Sequence, residues 1–325
     1  MTLDDDIRKK ALRESLKKQN HGKTLVEAKY IPHYPDSVER EYLRMVNAYM
    51  AVEKQILLKY IPELKQIINS GTVWMNHDSR KDNERERKHT RLGQIAVFMK
   101  LDEFFRKISR ELKAAFGLFN LHLGLNKIAD LEEKLSVKEW KKVIGRTLGI
   151  NLLDDYYSGA IYEELLKKWV SDNVDLIKTI PHTSLDKMKE IVYDNYMKGA
   201  TTTDIVKAVQ KQYGMDKRHA RLIARDQVAK LNAAITQYQQ RDVGVEQYKW
   251  LTSRDERVRK GDKMAKGVID PMGDNHARLE GKIFRWDTPP LVDRKRRRAC
   301  HPGEDYQCRC CAIPVFDIDE LDLPV

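Results

Sequence analysis

No apolar run in this chain approaches the roughly 20 residues that a membrane-spanning helix needs. The N-terminus, MTLDDDIRKKALRESLKKQN, is polar and lacks the apolar core of a signal peptide. Both absences point to a protein made and kept in a cytoplasm, with no membrane stage during assembly. Cysteine is scarce: Cys300, Cys308, Cys310 and Cys311 are the only four, and all lie in the last tenth of 325 residues. In a reducing compartment such a cluster argues for metal binding or local packing over a disulfide framework. Also missing are a P-loop, a dinucleotide fingerprint, a nucleophile elbow and an HExxH pair, so the familiar enzyme classes built on them have no foothold. There is no internal repeat.

Charge is what the chain has in abundance. Sixty Lys and Arg residues stand against 49 Asp and Glu, a net charge of +11. Long helices with solvated outer faces account for so much charge. The positive surplus fits a polyanionic neighbour, most simply nucleic acid, or else a solvated basic surface.

Residues 1–35 are expected to be an extended N-terminal arm, charged up to Asn20 and marked by Pro32 and Pro35. Asp36 and Glu39 have capping-box spacing, and Tyr42, Met45, Tyr49, Val52 and Ile56 recur at helical intervals. Pro62 should kink or end this helix. The charged run from Ser79 to Arg91 reads as a solvated loop or helix start. Leu92, Ile95, Met99, Phe105, Ile108, Leu112 and Phe116 mark a long amphipathic helix closed by Gly117. Ser136 and Glu139 predict the start of another, and one from about Tyr157 should stop at Pro181. Residues 36–183 therefore read as a helical domain. Helices over Leu185–Lys198, from Thr201–Thr203 to Gly214, and from Asp216 to Arg241 follow. Gln247–Leu251, Lys282–Trp286 and Ala312–Phe316 read as strands. The fold class is mainly α with a small C-terminal α+β domain, then an acidic tail over 317–325.

The turn at Gly214–Met215 between two helices has helix-turn-helix spacing, which would present Lys217, Arg218, Arg221 and Arg225 to a DNA groove. The plainer reading, that Ala220 and Ala224 let the helix pack closely, is preferred. Arg294, Lys295, Arg296, Arg297 and Arg298 repel one another and rarely form a packed element, so a salt-sensitive, sequence-independent contact with DNA phosphates is favoured over a solvated loop. His276, Cys300, His301, Cys308, Cys310 and Cys311 supply enough donors for a tetrahedral zinc. The Cys-x-Cys spacing is unlike the usual knuckle, however. If extended, Cys308 and Cys310 share one face while Arg309 and Cys311 take the other. Thiols packed beside His276 are the preferred reading, with a structural zinc on His276, Cys308 and Cys310 the alternative and no other cofactor. Asp255, Asp262, His276, His301 and Asp305 can be assembled into a metal-nuclease set only on paper, since no spacing ties them together. No catalytic residue is assigned.

The C-terminal half carries a specific combination of weak motifs. These are Ala224-Arg225, Gly244-Val245 leading to Trp250, Asp255 with Arg259, His276 with Gly281, and Pro302-Gly303, Asp305, Cys308-Arg309-Cys310. In this order they resemble the phage head-morphogenesis family of the Mu F type, over a domain at about 184–316. The resemblance implies a structural minor head protein of a tailed bacteriophage, not an enzyme. It would sit in the virion head interior near the portal after assembly in the host cytoplasm. Implied partners are the portal protein, a major capsid or scaffold protein, and packaged DNA bound without sequence preference. Arg225, Asp255, Arg259, His276, Gly281, Asp305, Cys308, Arg309 and Cys310 become one expected structural cluster, buried, with the basic loop 294–298 nearby. The competing class is a free DNA-binding or metal-dependent DNA-processing protein of the infected cell.

Overall fold

A computed structural model describes residues 3–75, 84–152 and 162–323. Of the charged run Ser79–Arg91, the part before Glu84 lies outside the described residues, as does the expected helix start at Tyr157. The chain forms two compact units: Met1–Arg40, Asn126–Val170 and Arg225–Val325 make the first, Glu41–Leu125 and Ser171–Ala224 the second. Six helices are described: α1 (Leu3–Gln19), α2 (Asp36–Met75), α3 (Glu84–Gly117), α4 (Leu121–Leu148), α5 (Glu163–Met197) and α6 (Thr202–Asp242). Eight short strands accompany them: β1 (Leu25–Glu27), β2 (Gln247–Leu251), β3 (Lys260–Lys263), β4 (Ile269–Asn275), β5 (Ile283–Arg285), β6 (Leu291–Asp293), β7 (Arg298–Ala299) and β8 (Cys311–Asp317). The mainly helical class with a small C-terminal α+β region is the observed one. No described helix is long and apolar enough to cross a membrane.

The second unit is helical. Ile56, Tyr60, Leu64 and Ile68 of α2 bury against Val97, Leu101, Phe104, Ile108 and Leu112 of α3, with Met188 and Val192 of α5 and Ile205 of α6 completing the core. The breaks expected at Pro181 and Gly214 do not occur, and of the kink or end expected at Pro62 the end does not. α2 passes through Pro62, α5 through Pro181, and α6 through Gly214. Proline in a helix interior costs about 3 kcal/mol and glycine about 1 kcal/mol. Each position is flanked by residues buried on both sides, so uninterrupted packing outweighs the local penalty. Gln212 and Ser184 also donate to the two carboxylate oxygens of Asp216, at 2.9 and 2.8 Å, and pin α6 across the glycine. The helix-turn-helix reading is therefore overturned, because there is no turn. Glu53 is fully buried near this group. Burial pushes its carboxyl up to about 7, with Ser184 opposing and Asp216 reinforcing the shift.

The first unit carries two antiparallel four-stranded sheets, ordered β1-β8-β2-β5 and β3-β4-β6-β7. β8 is central in the first, pairing Phe316 with Val26 and Ala312 with Trp250. It is buried on both faces, and Trp140 of α4 stacks on Phe316. The expected extended arm is corrected here. Residues 3–19 are helical, and Leu25–Glu27 form an edge strand on β8. Leu16 is buried, Arg13 donates to the Leu321 carbonyl at 3.0 and 3.1 Å, and Lys9 and Lys17 pair with Asp322 and Asp319. The basic helix is held by the acidic tail, a partner some 300 residues away. α4 also begins earlier than expected. Asn120 caps it through Leu123 N at 3.0 Å, leaving Ser136 inside the helix, where it donates to the buried Glu132.

Candidate functional site

The site grows from the strand β2 and the segments facing it. Alternation along Gln247–Leu251 turns Tyr248 and Trp250 inward, and both are fully buried. With Leu279, Trp286, Val292 and Ala312 they form an apolar floor that also includes Cys308 and Cys310. Asp274-Asn275-His276 leaves β4 so that Asp274 and His276 approach the same point. Residues 301–310 return over the floor before β8 starts at Cys311. Gln307 N donates to Asp226 of α6 at 2.7 Å, fixing that return.

Gly303 explains the Pro-Gly of the motif. Its φ is +86°, and a Cβ there would meet the Ala233 Cβ of α6 at 2.7 Å. Gly303→Ala should therefore cost about 1–3 kcal/mol through strain and lost helix contact. A denaturation midpoint matching wild type would show that the loop does not need this approach.

His276 is the hub. Its Nδ1 lies 3.5 Å from Cys308 Sγ and 3.6 Å from Cys310 Sγ. Its Nε2 lies 3.0 Å from Asp305 Oδ2 and 3.3 Å from Asp274 Oδ1. Arg259 reaches Asp305 at 2.6 Å and Asp274 at 3.2 Å, and Arg298 pairs with both acids. The Trp250 ring meets the imidazole edge-on at 5.5 Å. Burial alone would lower the His276 pKa, but the two carboxylates and Cys308 raise it to about 10. Burial would likewise raise that of Asp305, yet His276 and Arg259 hold it far below the usual carboxylate range. The Cys310 thiol, donating to Cys308, and the His276 ring hold Cys308 well below the ordinary thiol range. Cys310 itself is pushed up by the Cys308 sulfur and by burial.

The expected single buried cluster resolves into two layers. His276, Asp305, Cys308 and Cys310 are buried, whereas Asp255 and Arg309 pair with each other at a half-exposed rim. Arg225, on α6, is 3.5 Å from Glu39 and borders a cavity lined also by His276, Cys308, Arg309 and Cys310. Gly281 stands apart from the hub. Its N–H donates to the Trp250 carbonyl at 2.8 Å and starts the pairing of β5 with β2.

The basic loop departs most from expectation. Arg296 pairs with Asp262 at 2.9 Å and Asp293 at 2.5 Å, Lys295 with Asp270 at 3.3 Å, and Arg298 joins the hub. Only Arg294 and Arg297 have no acidic partner among the described residues. The five cations do not stay apart from packed structure because acids distant in sequence interleave with them. Asp274 and Arg298 are the hub residues that sequence reasoning missed as such. The signal available was the Asp-x-His spacing at 274–276, which puts two polar side chains on one side of an extended stretch.

Two of the metal-capable groupings that this geometry brings together share His276, one with Cys308 and Cys310, the other with Asp274 and Asp305. All of these residues lie in one matched segment. Residues 186–313 match the family Phage Mu protein F like protein. The match covers less than half of the chain and contains every motif residue of the resemblance. An uncharacterized protein of Haemophilus influenzae (strain ATCC 51907 / DSM 11121 / KW20 / Rd) is 34% identical over 172 residues. That alignment covers 53% of this chain and 34% of the relative, so the chain spans about a third of that curated relative's length. No solved structure matches the chain.

Proposed function

We propose that this chain is a structural minor head protein of a tailed bacteriophage, positioned near the portal inside the head. The observation that carries the reading is the Mu protein F-like match over 186–313. The hub geometry supports it. Asp274 and Asp305, the two acids nearest His276, are each paired with Arg259 and Arg298, as in a structural ion-pair network. Portal and major capsid or scaffold proteins are the proposed partners. The assignment is tested by protein identification on purified particles, with portal co-purification from lysates. Presence in a few copies per particle is expected. A protein abundant in the infected cell but missing from particles would instead favour the DNA-processing alternative, as would DNA cleavage abolished by His276→Ala.

Contact with packaged DNA is proposed through the exposed arginines, above all Arg294 and Arg297. Each phosphate neutralised contributes about 0.9 to the slope of log K against log salt. Replacing both with glutamine should reduce the slope by roughly 2. Replacing Lys295, Arg296 and Arg298, already paired to acids, should change it less while lowering stability. A salt titration in which the two sets behave alike would refute this division.

A further inference from the structure

We infer that His276, Cys308 and Cys310 form a zinc site with three protein ligands, its fourth position opening into an arginine-lined cavity. The reading stands independently of the head role. The three donor atoms are buried and lie within 4.8 Å of one another. A tetrahedral zinc with bonds of about 2.3 Å to sulfur and 2.0–2.1 Å to nitrogen places those atoms roughly 3.6 Å apart. The His276 Nδ1 to sulfur separations are 3.5 and 3.6 Å. A thiol–imidazole hydrogen bond spans the same distance, so the reading rests on three buried soft donors meeting at one point and not on the spacing alone.

The surroundings fit a ligating histidine. Its other nitrogen, Nε2, faces Asp305 at 3.0 Å, so an Nε2–H donor leaves Nδ1 as the acceptor turned to the sulfurs. A carboxylate behind a metal-bound histidine fixes the tautomer and the ring orientation. Here that carboxylate is itself fixed by Arg259 and Arg298. Cys310 N also lies 3.4 Å from Cys308 Sγ, an N–H turned to the sulfur. The rival grouping of Asp274, His276 and Asp305 fails on charge. Arg259 Nη1, 3.2 Å from His276 Nε2 and 2.6 Å from Asp305, already occupies the place of a cation.

The fourth position follows from the cavity. It measures about 150 Å³ and is bordered by the three ligands with Arg225, Ser253, Arg257, Gln307 and Arg309. That is room for water at the metal, unlike a closed four-ligand site. The arginines favour the two thiolates and would hold a small anion beside the ion.

The test uses the full chain, purified under reducing conditions, with zinc and cobalt(II) as probes. Elemental analysis should find one zinc per chain, and the cobalt form should show a thiolate charge-transfer band with tetrahedral d–d bands. Cys308→Ser, Cys310→Ser or His276→Ala should weaken zinc binding at least a hundredfold. Cys300→Ser and Cys311→Ser should leave it unchanged, and Asp305→Asn should weaken it tenfold to a hundredfold. Azide added to the cobalt protein should shift the d–d bands if the fourth position is open. Folded wild-type protein that takes up no zinc at micromolar free metal would overturn the site. So would binding unaffected by Cys308→Ser and Cys310→Ser. Cobalt bands insensitive to azide would overturn the open position.

Discussion

Asp305→Ala is expected to destabilise the protein by about 3–5 kcal/mol, the usual cost of removing one partner from a buried ionic group. Asp305 is buried and accepts from His276 Nε2 at 3.0 Å, Arg259 Nη1 at 2.6 Å, Tyr306 N at 2.8 Å and the Arg298 guanidinium. Removing it leaves a buried imidazole and two guanidinium groups without their main acceptor. For a chain of this size the melting temperature should fall by roughly 10 °C. Asp255→Ala removes a carboxylate whose pair with Arg309 is half-exposed, and should cost no more than about 1 kcal/mol. Thermal and urea denaturation of the two variants compares the layers directly. Equal losses would mean that the distinction between buried hub and exposed rim is wrong.

Raising the pH from 5 to 9 should weaken the fold by several kcal/mol, which is opposite to the usual effect of paired carboxylates. Glu53 has its pKa raised by burial to about 7 and Glu132 to about 8, against an ordinary 4.5. Between 4.5 and those values the folded protein holds protons that the unfolded chain has released. The contribution of these two carboxyls is therefore full below about 4.5, falls as the pH rises through 7 and 8, and is lowest above them. Each shift corresponds to on the order of 3 to 5 kcal/mol. Glu53→Gln with Glu132→Gln isolates the two carboxyls, because glutamine keeps the neutral shape without the titration. Urea midpoints from pH 5 to 9 should slope less in the double variant than in wild type. Identical slopes would show that these groups ionise normally.

Local patterns alone determined a good part of this protein. The apolar spacing of Tyr42, Tyr49 and Ile56, or of Phe105, Ile108 and Leu112, is a property of 3.6-residue periodicity and needs no partner to be read, although Ile95 and Met99, expected on the same face, are exposed. Three of the seven C-terminal strands, β2, β5 and β8, were legible from β-branched and aromatic runs between turn residues. The convergence of His276 with Cys308 and Cys310 was anticipated too, although the route differs: the cysteines precede β8 and do not sit on it. What tertiary structure decided depends on partners far away in sequence. α2, α5 and α6 cross Pro62, Pro181 and Gly214 because burial on both sides exceeds a local cost of about 1–3 kcal/mol. α1 and β1 are ordered by Leu321, Asp319, Asp322 and strand β8, none of which neighbours them in the chain. The basic run 294–298 is partly neutralised by Asp262, Asp270, Asp274, Asp293 and Asp305, most of them well removed from it along the chain. Periodicity reports which face of an element is apolar. Only the folded chain assigns the acid to each cation and the core to each break.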